Sequence, residues 1–530
     1  MKRIIFLFII SLFVVNAAYS QYIPLNHDLY SKAKFGKLQA NQRQLWGMKP
    51  FLIQSVDSSE LLIDDVFSYH ENVSNKSFVY RKLFAEHLVN YKNDWLTISV
   101  DPLFDFTIGK ERQYDNKIWR NTRGIDISGN YKNKLIFSSQ IFETQSFQPS
   151  WIKHFADSMK VIPGQGPYKR FKTDGYDYYN SSGYLTYIPD KRIYFTVGYG
   201  KNFIGEGYRS LILSDAAYNY PYVRLDADFS KVKYTVLYAQ FTALNLPFNK
   251  NFGYERKWST MHYLQFMLFN RLNIGLFDAV IWGNGNGEEG HRGFEFHYLN
   301  PVVFLRPAEF AIGSPDNYMI GTNISYSISN NYNVYAQFLL DEFHLRNLMR
   351  NDGWYGNKYS IQLGVEGGNM FNINNLYARA EYNQARPYTY THNVSIQSYS
   401  HANQPLAHIL GANFREGLFI ASYSYKNWQT SIKYIHQMYG ADTSDISYGQ
   451  NIFLPYTDRK SEYDNYLGQG LKTKVNYIDY RVAYVLNRKT NMKLEACVIW
   501  RTQKNELTDK RNLLFSIGFR TNLRNFYYEY

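Results

Sequence analysis

Cysteine is nearly absent from this 530-residue sequence, Cys497 being the single one. No internal disulfide framework can therefore hold the fold, and stability must come from packing or from closure of a sheet. Long apolar runs are missing as well. Beyond the first twenty residues, no stretch reaches the roughly 18 apolar residues that a membrane-spanning helix needs. If the mature chain sits in a membrane, strands must put it there. The alternative is a soluble exported protein.

What the sequence has in abundance is aromatic rings, with 50 tyrosines and 37 phenylalanines. They recur on alternate positions of short segments. In residues 320–329, Ile320, Thr322, Ile324, Tyr326 and Ile328 share one parity, and Gly321, Asn323, Ser325, Ser327 and Ser329 take the other. Period two means a strand with one apolar and one polar face. Elsewhere the polar parity carries charge. Arg379 and Glu381 alternate with Leu376, Ala378 and Tyr382; Lys433 with Ile432 and Tyr434; Lys493, Glu495 and Arg501 with Leu494, Val498 and Trp500. A soluble sandwich would give the same parities, but the tyrosine load favours a transmembrane barrel, because amphipathic rings collect at membrane interfaces.

The beginning of the sequence supports export. Lys2 and Arg3 precede an apolar stretch from Ile4 to Val15, and Ala18-Tyr19-Ser20 supplies a small–bulky–small site. Residues 1–20 read as a signal peptide cut before Gln21, with no cysteine at the cut to carry a lipid anchor. Residues 21–93 read as a short, partly helical periplasmic segment, with helix-compatible composition at 31–45 and 78–89.

Residues 94–530 read as the barrel. Predicted strands are 97–109, 124–131, 135–147, 193–200, 209–214, 222–229, 233–244, 261–270, 273–282, 319–329, 333–343, 359–367, 376–383, 406–412, 418–425, 429–437, 477–486, 493–501 and 514–530. Residues 150–180 form a turn-rich excursion. The length suits an all-β transmembrane antiparallel barrel of about 16–18 strands, an even number returning the end of the chain to the periplasmic side. Phe526, Tyr528 and Tyr530 alternate at that end, as in the aromatic final strand of outer-membrane barrels. Residues 300–310, with Pro301 and Pro307, break the rhythm and read as a short helix or loop at one barrel mouth, or as a constriction.

Few residues suggest chemistry. The glycine-rich run 283–290 lacks the Lys-Ser/Thr of a phosphate loop and reads as a hairpin loop. His291, Glu295 and His297, with Glu288 and Glu289, offer metal-ligand types without tight spacing, so no metal or other cofactor is expected. No nucleophile–base set is visible, and a non-enzymatic role is expected. The basic excess, 58 Lys and Arg against 45 Asp and Glu, suits interfacial cations or attraction for anionic lipopolysaccharide and acidic polysaccharide. An exported protein is not expected to meet nucleic acid.

Several phrases carry a family resemblance: Arg81-Lys82-Leu83-Phe84-Ala85-Glu86-His87-Leu88, Val100-Asp101-Pro102-Leu103-Phe104-Asp105-Phe106, Gly205-Glu206-Gly207-Tyr208-Arg209-Ser210, Asn300-Pro301-Val302-Val303-Phe304-Leu305-Arg306-Pro307-Ala308-Glu309-Phe310, Ser314-Pro315-Asp316-Asn317, Asn465-Tyr466-Leu467-Gly468-Gln469-Gly470 and Gly518-Phe519-Arg520-Thr521. The chain resembles gliding-motility RemB-like outer-membrane proteins of Bacteroidota, which are similar to the Wzi capsule-assembly family. The resemblance implies an outer-membrane barrel that binds or retains surface (capsular) polysaccharide, or supports adhesion and gliding alongside gliding or secretion machinery. A diffusion channel or transporter for small solutes is the alternative. Arg209, Asp215, Arg306, Glu309 and Asp316 are candidates for a polar cluster, one that either contacts polysaccharide or braces the lumen with salt bridges.

Overall fold

A computed structural model describes residues 22–39, 44–52, 75–251, 253–283, 293–302, 304, 307, 311–313, 316–350, 352–443, 446–521 and 525–530. Eighteen antiparallel strands close into one barrel. They are β1 (Leu96–Glu111), β2 (Asn116–Tyr131), β3 (Leu135–Phe147), β4 (Gly175–Asp190), β5 (Ile193–Gly200), β6 (Tyr220–Asp228), β7 (Val232–Ala243), β8 (Glu255–Leu268), β9 (Leu272–Gly283), β10 (Asn317–Ser327), β11 (Tyr332–Glu342), β12 (Lys358–Gly368), β13 (Leu376–Ala385), β14 (Phe414–Tyr425), β15 (Trp428–Ala441), β16 (Leu471–Asn487), β17 (Met492–Lys504) and β18 (Asp509–Thr521). Each pairs with the next, and β18 closes on β1 from Leu514 opposite Glu111 to Arg520 opposite Asp105. That leaves the first half of β1 without β18. The short strand Val89–Lys92 fills the vacant edge, pairing with residues 97–100, so the backbone groups there do not face the apolar phase alone.

Exposure decides between sandwich and membrane barrel. On β10 the polar residues Asn323, Ser325 and Ser327 are buried, whereas Ile324 and Tyr326 are 37% and 42% exposed. Leu363, Leu494 and Ile517 likewise face outward, while Arg379, Glu381, Glu495 and Arg501 are buried. The wall is thus apolar outside and polar inside, the reverse of a soluble sandwich and the pattern of a barrel in lipid. No helix among the described residues is long and apolar enough to span. Replacing Leu363, 54% exposed in the middle of β12, by Arg is expected to cost about 2–4 kcal/mol near the bilayer midplane. Reversible unfolding in lipid vesicles measures it; the same change at inward-facing Gln362 should not follow that depth rule.

The two ends of the barrel differ. Strands joined at 132–134, 191–192, 229–231, 269–271 and 426–427 turn tightly, whereas the opposite end carries the excursions 148–174, 201–219, 386–413 and 442–470. Short turns mark the periplasmic side of outer-membrane barrels and long loops the outside. Exposed Trp95, Tyr131, Tyr187, Tyr425, Trp428 and Tyr484 cluster near the short-turn end, as an interfacial aromatic girdle requires. Below it, helix α2 (Phe78–Phe84; α1 is His27–Gln39) is held by Asn487 Nδ2, which donates to the carbonyls of Leu83 and Glu86 at 3.2 and 3.1 Å.

Three expected strands are corrected. Residues 209–214 and 406–412 are not in the wall; they are buried on all sides within the lumen, where Ser214 N donates to Leu406 O at 2.7 Å. Their apolar residues, Leu211-Ile212-Leu213 and Leu406, Ile409 and Leu410, pack against the filling of the lumen rather than against lipid. The last strand ends at Thr521 rather than at residue 530, and residues 525–530 enter the lumen, where Tyr527 and Glu529 find polar partners. Strand β4 was not expected: it begins inside the 150–180 excursion and runs on through residues assigned to no strand, while the rest of the excursion holds helix α3 (Ser150–Met159) and a small hairpin pairing Val161–Ile162 with Gly166–Pro167. The signal sequence and most of the 283–290 and 300–310 segments lie outside the described residues.

Candidate functional site in the lumen

The barrel interior is occupied by its own chain. Residues 22–39 and 44–52, grouped by the sequence reading with a periplasmic segment, pack inside the wall. Met48 and Lys49 pair with Ile204 and Phe203 of the 201–219 loop, and Gly205 N donates to Gly47 O at 2.7 Å. The 201–219 loop meets the 386–413 loop through the Tyr390 hydroxyl on Leu211 O at 2.8 Å and the Tyr399 hydroxyl on Ile212 O at 2.7 Å. The 148–174 excursion joins the same body, because Gly164 N donates to Gln404 Oε1 at 2.5 Å and Asn403 Nδ2 to Met159 O at 2.9 Å. Residues 525–530 complete the filling.

The Gly-Glu-Gly-Tyr-Arg stretch is the hub. Glu206 accepts Lys34 Nζ of α1 at 2.5 Å, and Lys34 also reaches Glu366 of β12 at 2.6 Å. Gly207 passes so close to the wall that a Cβ would stand 2.6 Å from Glu381 Oε2 and 2.5 Å from Arg209 O, which no side chain tolerates. That approach lets the Tyr208 and Arg209 amides donate to the Glu381 carboxylate at 2.8 and 3.1 Å. The Arg209 guanidinium then grips Glu416 of β14 through Nε and Nη2 at 3.1 and 3.2 Å, and His408 shares that carboxylate at 2.9 Å.

The other candidates divide. Asp215 accepts the Tyr527 hydroxyl at 2.5 Å and Asn525 Nδ2 at 2.7 Å, so it ties residues 525–530 to the loop. Asp316 accepts the Tyr298 hydroxyl at 2.6 Å and Gln397 Nε2 at 3.1 Å, away from the Arg209 hub. Arg306 and Glu309 lie outside the described residues, as do Glu288, Glu289 and His291; of that set, Glu295 and His297 touch at 2.6 Å. Arg209 and Asp215 thus both belong to the bracing network, and Asp215 also lines a cavity beside it.

Cavities lie beside this filling among the described residues, and two are lined by both filling and wall. One, about 240 Å³, lies between the start of α1 and strands β13–β18 near the short-turn end. The other, about 170 Å³, lies between residues 22–25 and strands β2–β6. Asn525 lines both, and His27 N donates to its Oδ1 at 3.1 Å while the His27 ring meets the Tyr527 hydroxyl at 2.9 Å. The partition between the cavities is therefore built by the early and late segments of the chain rather than by the wall. Neither the tail contacts nor the α1 docking was legible in the sequence; the one signal was the even spacing of Tyr527 and Glu529 opposite the apolar parity.

Histidines make the filling sensitive to acid. Burial, with Lys49, Arg379, Lys433 and Arg209 nearby, holds His27 well below the ordinary histidine value. Burial takes His401, whose Nε2 faces Asn219 O at 3.0 Å, down to about 4. Depressed folded values mean that the unfolded chain binds protons first, so this stabilisation is complete above about pH 6.5 and falls as pH drops below it, for His401 being lost as pH passes through about 4. Hydrogen exchange, corrected for intrinsic rates, should show residues 22–52 and 386–413 losing protection in that window before the wall strands do.

These features define a class: an outer-membrane β-barrel whose lumen is filled by its own termini and loops. Among solved structures, the chain is similar to Wzi of Escherichia coli, an outer-membrane protein involved in group 1 capsule assembly and a carbohydrate-binding β-barrel, with a TM-score of 0.57, 11% identity, and coverage of 94% of this chain and 98% of that one. It also aligns with OccAB2 of Acinetobacter baumannii (TM-score 0.44, 12% identity, 80% and 97% covered) and OprD of Pseudomonas aeruginosa (0.41, 11%, 80% and 94%). No family model matches the sequence, and no curated protein matches it. The likeness to Wzi establishes a shared barrel fold, and the apolar exterior places the protein in an outer membrane.

Proposed function

We propose that this barrel is non-enzymatic and holds surface polysaccharide at the outer membrane, or supports adhesion and gliding, rather than passing solutes. The observation that carries this reading is the filled lumen: residues 22–39, 44–52, 148–174, 201–219, 386–413 and 525–530 interlock across it through buried ion pairs and hydrogen bonds. A channel gains nothing from that bracing, whereas a scaffold for loops does, since it fixes the 386–413 and 442–470 excursions on the outer side. Asn413 Nδ2 and Gly468 N join those two loops, the latter donating to Asn413 Oδ1 at 2.7 Å. The fold shared with a carbohydrate-binding barrel is consistent with it. Partners on this reading are lipopolysaccharide, surface polysaccharide and proteins of the gliding or secretion machinery.

Deleting the gene should reduce polysaccharide retention or surface spreading while small-solute uptake stays unchanged. An unaltered surface with reduced uptake would sink the proposal and favour a second reading, a gated diffusion channel. That reading draws on the two polar cavities meeting at Asn525.

A further inference from the structure

The outside of the wall carries a depression that the lumen filling does not explain. Strands β12–β15 leave an open groove of about 570 Å³ on the lipid-facing side, flanked by Leu363, Val365, Tyr382, Phe419, Tyr434 and His436. Its bottom is formed by Ala380 and Gly417, and a Cβ at Gly417 would meet no described atom within 4 Å. Two small residues on neighbouring strands thus open a slot in an apolar face. The slot lies in the outer half of the wall, because β13 and β14 are joined by the outer 386–413 loop, a few residues beyond Tyr382 and Gly417.

The register sorts the outward side chains by polarity. Level with Ala380 stand Val365, Phe419, Tyr434, Ile478 and Trp500, all apolar or aromatic. Two residues further out, Gly417 is level with His436, Asn476 and Thr502. Their polar groups satisfy one another: Asn476 Oδ1 meets His436 Nδ1 at 2.8 Å, and Asn476 Nδ2 donates to Thr502 Oγ1 at 3.3 Å. The next row out runs Gln384, Arg415, Met438, Lys474 and Lys504, and its three cations are exposed. Among the described residues, no carboxylate pairs with any of the three. Asp509, opposite Lys504, pairs with Arg511 at 3.7 Å, and Glu342 pairs with Lys358 at 2.8 Å. Lys474 and Lys504 stand directly opposite each other, like charges that repel unless an anion lies between them.

We infer that this face binds lipid A, the phosphorylated, acylated sugar base of lipopolysaccharide, with an acyl chain in the groove and phosphate on the row of Arg415, Lys474 and Lys504. A lipid follows from the groove's place on the membrane face, and the outer leaflet from its level. An anion follows from the unpaired cations. Snorkelling to water would satisfy each cation singly, but it accounts neither for the groove nor for the facing lysines. From β14 to β17 the row spans three strand spacings, about 14 Å at about 4.8 Å each. That is wider than one phospholipid phosphate and suits a headgroup with phosphate at two ends. The inference rests on the outer-membrane surface reading above and deepens it, giving the lipopolysaccharide partner a place on the wall.

The test is native mass spectrometry of the full protein in detergent, with bisphosphorylated lipid A, dephosphorylated lipid A and phosphatidylglycerol as probes. A one-to-one adduct with bisphosphorylated lipid A should form at least about tenfold more tightly than with either alternative, as gain of a charge-assisted contact implies. Arg415→Gln combined with Lys504→Gln, both at exposed and unpaired positions, should abolish that preference. Gly417→Trp fills the slot and should weaken both forms of lipid A by about tenfold or more; heat-modifiable gel mobility shows that each variant is folded. Equal binding of the phosphorylated and dephosphorylated forms overturns the inference from wild type alone, whether or not a variant folds. Phosphatidylglycerol bound as tightly as lipid A overturns it too, as does unchanged binding in a folded variant. Failure here leaves cell-surface retention intact, whereas failure of the surface reading shows in gene deletion and leaves the adduct unchanged.

Discussion

Removing residues 525–530 is expected to turn a non-conducting barrel into one that passes ions. The segment contributes no strand to the wall, because the pairings of β18 with β17 and β1 end at Thr521. It does hold the filling together. Tyr527 bonds Asp215 of the 201–219 loop, and Glu529 pairs with Lys433 of β15 and accepts the Tyr208 hydroxyl at 2.7 Å. The Tyr528 carbonyl takes Trp151 Nε1 of α3 at 2.7 Å, and the Tyr530 carbonyl takes Arg501 Nη2 at 2.7 Å. Deletion joins the two cavities at Asn525 and leaves Lys433 without its carboxylate. Planar-bilayer recordings should show steps in the truncated protein and none in Tyr527→Phe, which loses one hydrogen bond worth about 1 kcal/mol. A truncated protein that folds and stays silent would mean that other segments alone seal the lumen.

The second large effect concerns the hub. Glu416→Ala strands the Arg209 guanidinium in the lumen and removes acceptors for His408 and Gln437. Breaking one side of a buried pair costs about 3–5 kcal/mol, so the midpoint of urea unfolding in lipid should fall clearly. Glu416→Gln keeps an acceptor oxygen and should cost less. Arg209→Met combined with Glu416→Leu removes both charges and should recover part of the loss, since the single change is dominated by the orphaned partner. Equal losses in Glu416→Gln and Glu416→Ala would show that charge, rather than hydrogen bonding, sets the value.

The wall was readable from the sequence and the filling was not, and the reason is physical. A lipid-facing strand must present apolar groups on every second position, so Ile324, Leu363 and Leu494 announce themselves through parity. Lumen-facing Arg379, Glu381, Lys433 and Glu495 were legible on the same ground. A segment inside the lumen meets polar walls and other loops on all sides, so no period constrains it. Residues 209–214 and 406–412 are short apolar stretches of strand length without strict alternation, and that length and apolarity suit a lumen segment as well as a wall strand. Strand β4 escaped because small polar residues, Asn180-Ser181-Ser182-Gly183, interrupt its alternation; in the wall, Gly183 lies against Ser138 O, where a Cβ would stand at 2.7 Å. The Gly-Glu-Gly-Tyr-Arg motif was conspicuous, but only its contacts with Glu381, Glu366 through Lys34, and Glu416 reveal its use as a brace.

That the barrel is sealed by its own chain is tested most directly by single-channel recording of the intact protein. Purified and inserted into planar bilayers at neutral pH, it should give no stable conductance steps across repeated insertions verified by heat-modifiable gel mobility. Reproducible ohmic steps from the intact chain would contradict a closed lumen and make the protein a channel.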